Sequence, residues 1–71
     1  MLQQVRLVRI ARGLKAYQLA GMLGYNPQYW LQVEKGLREP PAEVANKASI
    51  ILGLPKDELF RPADGVLANK V

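Results

Sequence analysis

The chain has 71 residues and a net charge of +4, and it contains no cysteine and no histidine. This length allows one small domain, and the missing residue types exclude disulfides, thiolate nucleophiles and the usual zinc ligand sets. With Ser49 as the only serine and no threonine, the side chains that most enzymes use are scarce, so we predict no catalysis, no metal and no cofactor.

Apolar residues recur at helical spacing along most of the chain, and proline and glycine punctuate it. No segment alternates apolar and polar residues in the manner of a strand. Helices are predicted over residues 2–12, 15–23, 27–35, 42–52 and 55–60. The predicted fold class is therefore all-α, a compact domain of five helices.

The domain is predicted to occupy residues 1–60, and residues 61–71 form a C-terminal tail with proline, glycine and little periodicity. Such a tail is either flexible or an arm that orders in a dimer. No apolar run approaches the roughly 18 residues of a membrane-spanning helix. The N-terminus also lacks a signal-peptide layout, which favours a cytoplasmic protein with no membrane partner.

The second and third predicted helices carry the most informative pattern. Gly24 suits the left-handed backbone at a helix end. Asn26 and Pro27 are a preferred N-cap and a preferred first helical residue for the helix that follows. Ala20 is small enough to let the two helices cross closely. This is the spacing of a helix-turn-helix, which places its second helix in the DNA major groove.

Positive charge is concentrated in the first half of the chain. Residues 1–38 contain six basic residues and one acidic residue, a net charge of +5, whereas residues 39–71 have a net charge of −1. Cations around a helix-turn-helix suit a surface that faces phosphate, although ordinary solvated helix faces have similar compositions. We predict double-stranded DNA as the partner.

Four groups of residues extend the pattern beyond the motif. They are Val5, Val8-Arg9 and Gly13-Leu14; Leu19-Ala20 and Leu23-Gly24; Glu34-Lys35-Gly36, Arg38 and Pro40; and Leu52-Gly53-Leu54 with Asp57-Glu58-Leu59-Phe60. In this order, over about residues 5–60, the sequence resembles the lambda-repressor-like (Xre/Cro-type) helix-turn-helix family. The resemblance implies a five-helix fold with the helix-turn-helix at helices two and three.

The resemblance also implies that the start of helix three faces base edges. The predicted base contacts are Gln28, Tyr29, Leu31 and Gln32. Gln28 and Gln32 lie one turn apart and share a face, and a glutamine amide matches the N6 and N7 atoms of adenine. The alternative is that both are ordinary exposed polar side chains.

Phosphate contacts are expected on either side of this helix. Lys15 and Tyr17 lie at the start of helix two, where the helix N-terminus is positively polarised. Lys35 and Arg38 lie in the loop after helix three. Such contacts position a protein on DNA without reading its sequence.

Three further residues are assigned to structure rather than to DNA. The family pairs the equivalents of Arg9 and Glu34 between helix one and the end of helix three, which implies a partly buried salt bridge that fixes the recognition helix. Trp30 has the aromatic ring of a base-stacking residue, but it occupies the aliphatic core position of helix three and is predicted to be core.

Helix four is apolar nearly all round, which is typical of a helix that is covered on every side. Its predicted core face is Ala45, Ala48, Ser49 and Leu52. The residues left for a homodimer interface are Val44, Ile50 and Ile51. Leu7 and Ile10 on helix one form a second candidate patch, and scattered exposed aliphatics are the alternative.

Together these features predict a homodimeric, sequence-specific DNA-binding transcriptional regulator, in the simplest case a repressor. Ala16 and Pro27 stand where the family commonly has residues that touch DNA, and Tyr29 and Leu31 are more apolar than usual there. These departures favour an alternative, a protein-interaction or antitoxin-like accessory module on the same fold. A regulatory protein partner is left open.

Overall fold

Five short helices form where the periodicity and the proline and glycine positions predict them. The computed structural model describes residues 2–63. The helices are α1 Gln4–Ala11, α2 Ala16–Leu23, α3 Pro27–Glu34, α4 Ala42–Leu52 and α5 Lys56–Leu59. The prediction of an all-α domain of five helices is confirmed, and no helix within the described residues is long and apolar enough to cross a membrane.

The turn between α2 and α3 has the chemistry that its sequence indicates. Gly24 adopts a left-handed conformation, with φ of 68°, which ends α2 without the backbone strain that an L side chain has at positive φ. The Asn26 side chain then accepts hydrogen bonds from the backbone N–H groups of Gln28 at 2.8 Å and Tyr29 at 3.3 Å. These bonds satisfy N–H groups that the first turn of α3 leaves without partners.

One hydrophobic core joins the helices, and Trp30 is the largest side chain fully buried in it. Leu19 and Ala20 of α2 are likewise completely buried, and the small Ala20 allows α3 to approach α2 closely. The Trp30 ring meets Phe60 edge-on, with ring centroids 6.3 Å apart, a favoured aromatic geometry. The prediction that Trp30 is core is confirmed.

Helix α4 buries the predicted residues Ala45, Ala48 and Leu52, but its covered face is wider than predicted. Val44 is buried, with 7% of its surface exposed, so it belongs to the core of its own domain and its assignment to a dimer interface is wrong. The cause is that α4 packs against both α2 and α5, which widens its covered face. Ser49 is only half-buried, and its hydroxyl donates to the Leu54 carbonyl at 2.6 Å. Ile50 remains 80% exposed.

The two ends of the described chain pair with each other. Gln3 and Pro62 form an antiparallel bridge. The Gln4 N–H donates to the Arg61 carbonyl at 2.8 Å, and the Ala63 N–H donates to the Leu2 carbonyl at 2.9 Å. Residues 61–63, which the prediction assigns to the tail, therefore make contacts with the start of the domain. The rest of the predicted tail, residues 64–71, lies outside the described residues.

Candidate nucleic-acid interface

Helix α3 has one buried face and one exposed face. Trp30, Val33 and Glu34 are buried. The predicted base-contact residues lie on the other side: Gln28, Tyr29 and Leu31 are exposed and Gln32 is half-buried. This division follows from helical spacing, because residues three and four apart share a face.

A buried polar cluster fixes the inner face of α3. Arg9 of α1 forms a bidentate ion pair with Glu34. Nε donates to Oε2 at 2.6 Å and Nη2 donates to Oε1 at 3.0 Å. The Trp30 indole N–H also donates to Glu34 Oε2, at 2.6 Å. Arg9 reaches the Leu14 carbonyl through Nη1 at 2.7 Å, so α1, α3 and the segment before α2 are tied together.

The salt bridge expected between Arg9 and Glu34 is thus present, and it is almost entirely shielded from water, with 8% of Arg9 and 1% of Glu34 exposed. Sequence reasoning missed the part played by Trp30. Its separation of four residues from Glu34 places the two side chains on one helix face, and that spacing is the signal from which the hydrogen bond was predictable.

A second cluster lies on the outer face of α3, and we refer to Tyr29, Gln32 and Arg38 as the outer cluster. The chain turns back after α3 at Gly36, which has φ of 77°. Arg38 Nε then donates to Gln32 Oε1 at 2.9 Å. The Arg38 guanidinium carbon lies 4.2 Å from the centre of the Tyr29 ring, and the Tyr25 ring is 6.0 Å from that of Tyr29.

Sequence reasoning placed Arg38 with the phosphate contacts and did not foresee this cluster. Its members are close along the chain, since Arg38 lies six residues after Gln32, but the loop conformation that brings Arg38 back to α3 leaves no periodic trace in the sequence. Only the glycine at position 36 signals that the chain reverses there.

The other predicted phosphate contacts lie at two helix ends. Lys15 directly precedes α2, where its backbone N–H is held by Gln18 Oε1 at 2.8 Å, and Tyr17 is 61% exposed in the first turn. Lys35 caps the C-terminus of α3 and is exposed. Ala16, in contrast, packs partly buried against the core, so its small size serves packing.

This helix-turn-helix geometry has counterparts among known proteins. Residues 1–61 match the family described as "Helix-turn-helix domain". The chain belongs to the lambda-repressor-like helix-turn-helix family. The resemblance implied by the sequence motifs is therefore confirmed, and the family is one of DNA-binding regulators.

Solved structures with a similar fold include the following two. The restriction-modification controller protein C.AhdI from Aeromonas hydrophila has a TM-score of 0.70 and 32% sequence identity, over 80% of this chain and 86% of that chain. A hypothetical transcription factor, NHTF from Neisseria, has a TM-score of 0.72 at 24% identity, over 94% of this chain and 75% of that chain. Among curated proteins, none matches the chain.

Proposed function

We propose that this helix-turn-helix protein is a sequence-specific transcriptional repressor that inserts α3 into the major groove as a homodimer. The outer face of α3 carries the proposal. It presents the amides of Gln28 and Gln32 while the opposite face is locked by Trp30 and Glu34. A rigid helix with outward hydrogen-bonding groups meets the requirements of direct readout. C.AhdI is a controller protein, which supports a regulatory role here.

Lys15, Tyr17 and Lys35 supply the proposed phosphate contacts. They lie at the N-terminus of α2 and the C-terminus of α3, so they flank the exposed face of the recognition helix. The charges of Lys15 and Lys35 make the affinity fall with salt, because each neutralised phosphate releases counterions, whereas Tyr17 contributes a neutral hydroxyl. They orient α3 and leave sequence discrimination to the base contacts.

The test of specific readout is selection of bound sites from a random duplex pool, by the native protein and by the variant Q28A/Q32A. We expect the variant to bind DNA with a similar salt dependence but with relaxed sequence preference, since it loses base contacts and no charge. Asn46→Ala, which removes an exposed amide from α4, is the matched control and keeps the native preference. Unchanged specificity in Q28A/Q32A contradicts the assignment of base contacts.

Dimer formation is proposed through exposed aliphatic residues. Ile50 projects from α4 with 80% of its surface exposed, and Leu7 and Ile10 of α1 are 41% and 49% exposed. Ile51 is half-buried beside Ile50, so it lies at the margin of this patch. Two-fold pairing would separate the recognition helices by about 34 Å, one turn of DNA, and it predicts a pseudo-palindromic site.

Ile50→Glu tests this interface in sedimentation experiments. We expect a weakened dimer, because a carboxylate would be buried without a partner. Gln18→Glu adds the same charge at an exposed position of α2, where the new carboxylate still accepts from the Lys15 N–H, and keeps the native assembly. If the two variants dimerise with the same affinity, Ile50 has no role in the interface. Leu7 and Ile10 then become the candidate dimer interface.

A protein-interaction module is the second candidate function. Tyr17, Met22 and Leu31 of the helix-turn-helix are 61%, 53% and 41% exposed, which gives the motif an apolar component suited to a protein partner. Titration with random duplex DNA at low and moderate salt separates the two functions. A DNA-binding protein shows a steep decrease in affinity with salt, whereas an interaction module binds little at either concentration.

A further inference from the structure

We infer that the outer cluster reads a guanine base and that Arg38 is a specificity-determining residue. The inference rests on the proposed function, because it names the base that the same surface recognises. It departs from the expectation that Gln32 pairs with adenine and that Arg38 holds phosphate. Two contacts carry it, the hydrogen bond from Arg38 to Gln32 and the stacking of Arg38 on Tyr29.

The first contact fixes which end of the Gln32 amide faces outward. Arginine has donors only, so the Gln32 atom that lies 2.9 Å from Arg38 Nε is necessarily the carbonyl oxygen. The other end of that amide is its NH₂, which donates. Pairing with adenine requires a donor and an acceptor together, and in this arrangement the Gln32 carbonyl already uses one of its two lone pairs to accept from Arg38.

The second contact fixes the position of the guanidinium group over the Tyr29 ring. Its central carbon lies 4.2 Å from the Tyr29 ring centre, within the range of a cation–π interaction. Tyr29 is the third residue of α3, and its ring is flanked by Tyr25 at 6.0 Å. Arg38 is therefore drawn from its loop over the first turn of the recognition helix, with Nη1 and Nη2 left as donors.

The outer cluster thus presents hydrogen-bond donors beside the first turn of α3, the part of the protein proposed to enter the major groove. In the major groove, guanine shows the two acceptors N7 and O6, whereas adenine and cytosine each show an amino donor and thymine shows a single acceptor. Two adjacent acceptors match the planar fork of arginine. Phosphate also accepts from arginine, but the first turn of the recognition helix is where base edges are contacted.

Site selection by the native protein and by Arg38→Ala tests the inference. We expect the native protein to enrich guanine at one position of each half-site. Replacement of that guanine by adenine or by 7-deazaguanine is expected to weaken native binding about tenfold. In Arg38→Ala the Gln32 carbonyl is released, so the preference at that position moves from guanine to adenine, and the double variant Q32A/R38A loses both preferences.

Two control variants distinguish the effect of the positive charge of Arg38 from that of its planar guanidinium group. Lys47→Ala removes one exposed positive charge on α4 and keeps the guanine preference. Arg38→Lys keeps the charge but not the planar fork, so it retains the salt dependence and loses the preference. Arg38 is itself exposed, and the circular dichroism melting curve of each variant verifies that it is folded.

The outcomes distinguish the inference from the function on which it rests. If Arg38→Ala lowers the affinity for all duplexes equally, Arg38 is a phosphate contact and the inference is overturned. Enrichment of adenine at that position by the native protein also overturns it. If the native protein shows no salt-dependent binding to any duplex, the proposed function itself fails.

Discussion

Glu34 shows at the scale of one residue how a charge is accommodated in a core this small. Its carboxylate accepts hydrogen bonds from Arg9 Nε and Nη2 and from the Trp30 indole. A buried charge is tolerated when it is both paired and hydrogen-bonded. The family resemblance was sufficient to predict the ion pair, whereas the indole donor depends on a tryptophan that the general pattern does not specify.

Removal of the Glu34 charge tests this account. In Glu34→Gln the Arg9 guanidinium stays buried without a countercharge, so we expect the free energy of unfolding to fall by about 3–5 kcal/mol. Urea denaturation followed by circular dichroism measures the change.

Glu58→Gln is the matched control for that experiment. Glu58 faces Arg61 across 3.6 Å, and both side chains are well exposed. Solvent weakens such a pair, so we expect a loss of at most about 1 kcal/mol. Similar losses in Glu34→Gln and Glu58→Gln would show that burial gives the Arg9 pair no special weight.

At the scale of the element, the start of α3 depends on one side chain. Asn26 caps two backbone N–H groups at the N-terminus of α3, the helix that carries the proposed base contacts. Asn26→Ala is expected to lower the free energy of unfolding by about 1 kcal/mol, as measured by urea denaturation.

Asn46→Ala provides the comparison, because Asn46 is exposed in the interior of α4. Alanine is the better helix former there, so we expect no loss of stability in this variant. A cap at Asn26 is contradicted if the two asparagine variants unfold at the same urea concentration.

Helix ends were more predictable than the width of a helix's buried face. Proline and glycine mark ends through fixed backbone preferences, and the bounds of α4 match the prediction. Which side of α4 is covered depends on its neighbours. The small Ala45 and Ala48 left the direction of its apolar face ambiguous, and contact with two other helices brought Val44 into the core.

At the scale of the whole molecule, the first and last residues that the structure describes contact each other. The bridge between Gln3 and Pro62 and the burial of Ala63 link the start of α1 to the segment after α5. A chain that ends at residue 60 is therefore expected to melt at a lower temperature than one that ends at residue 63. Circular dichroism melting of both proteins measures the difference, and equal melting temperatures contradict a structural role for residues 61–63.

Part of the candidate site was predictable from helical spacing, and part of it depends on the conformation of the loop after α3. The outward position of Gln28 follows from helical spacing alone, and so does the burial of Trp30. The outer cluster joins a loop residue to a helix through a reversal of the chain. Geometry of that kind depends on the folded backbone, so the sequence indicated the surface but not the hydrogen bonds within it.

The burial of Trp30 also gives the protein an internal optical probe. Trp30 is the only tryptophan of the chain, and its indole is sealed in the core against Glu34 and Phe60. Its fluorescence emission therefore depends on how α3 packs against the rest of the core. A shift of that emission to longer wavelength reports loosening of the recognition helix directly, without a label and without alteration of the surface proposed to meet DNA.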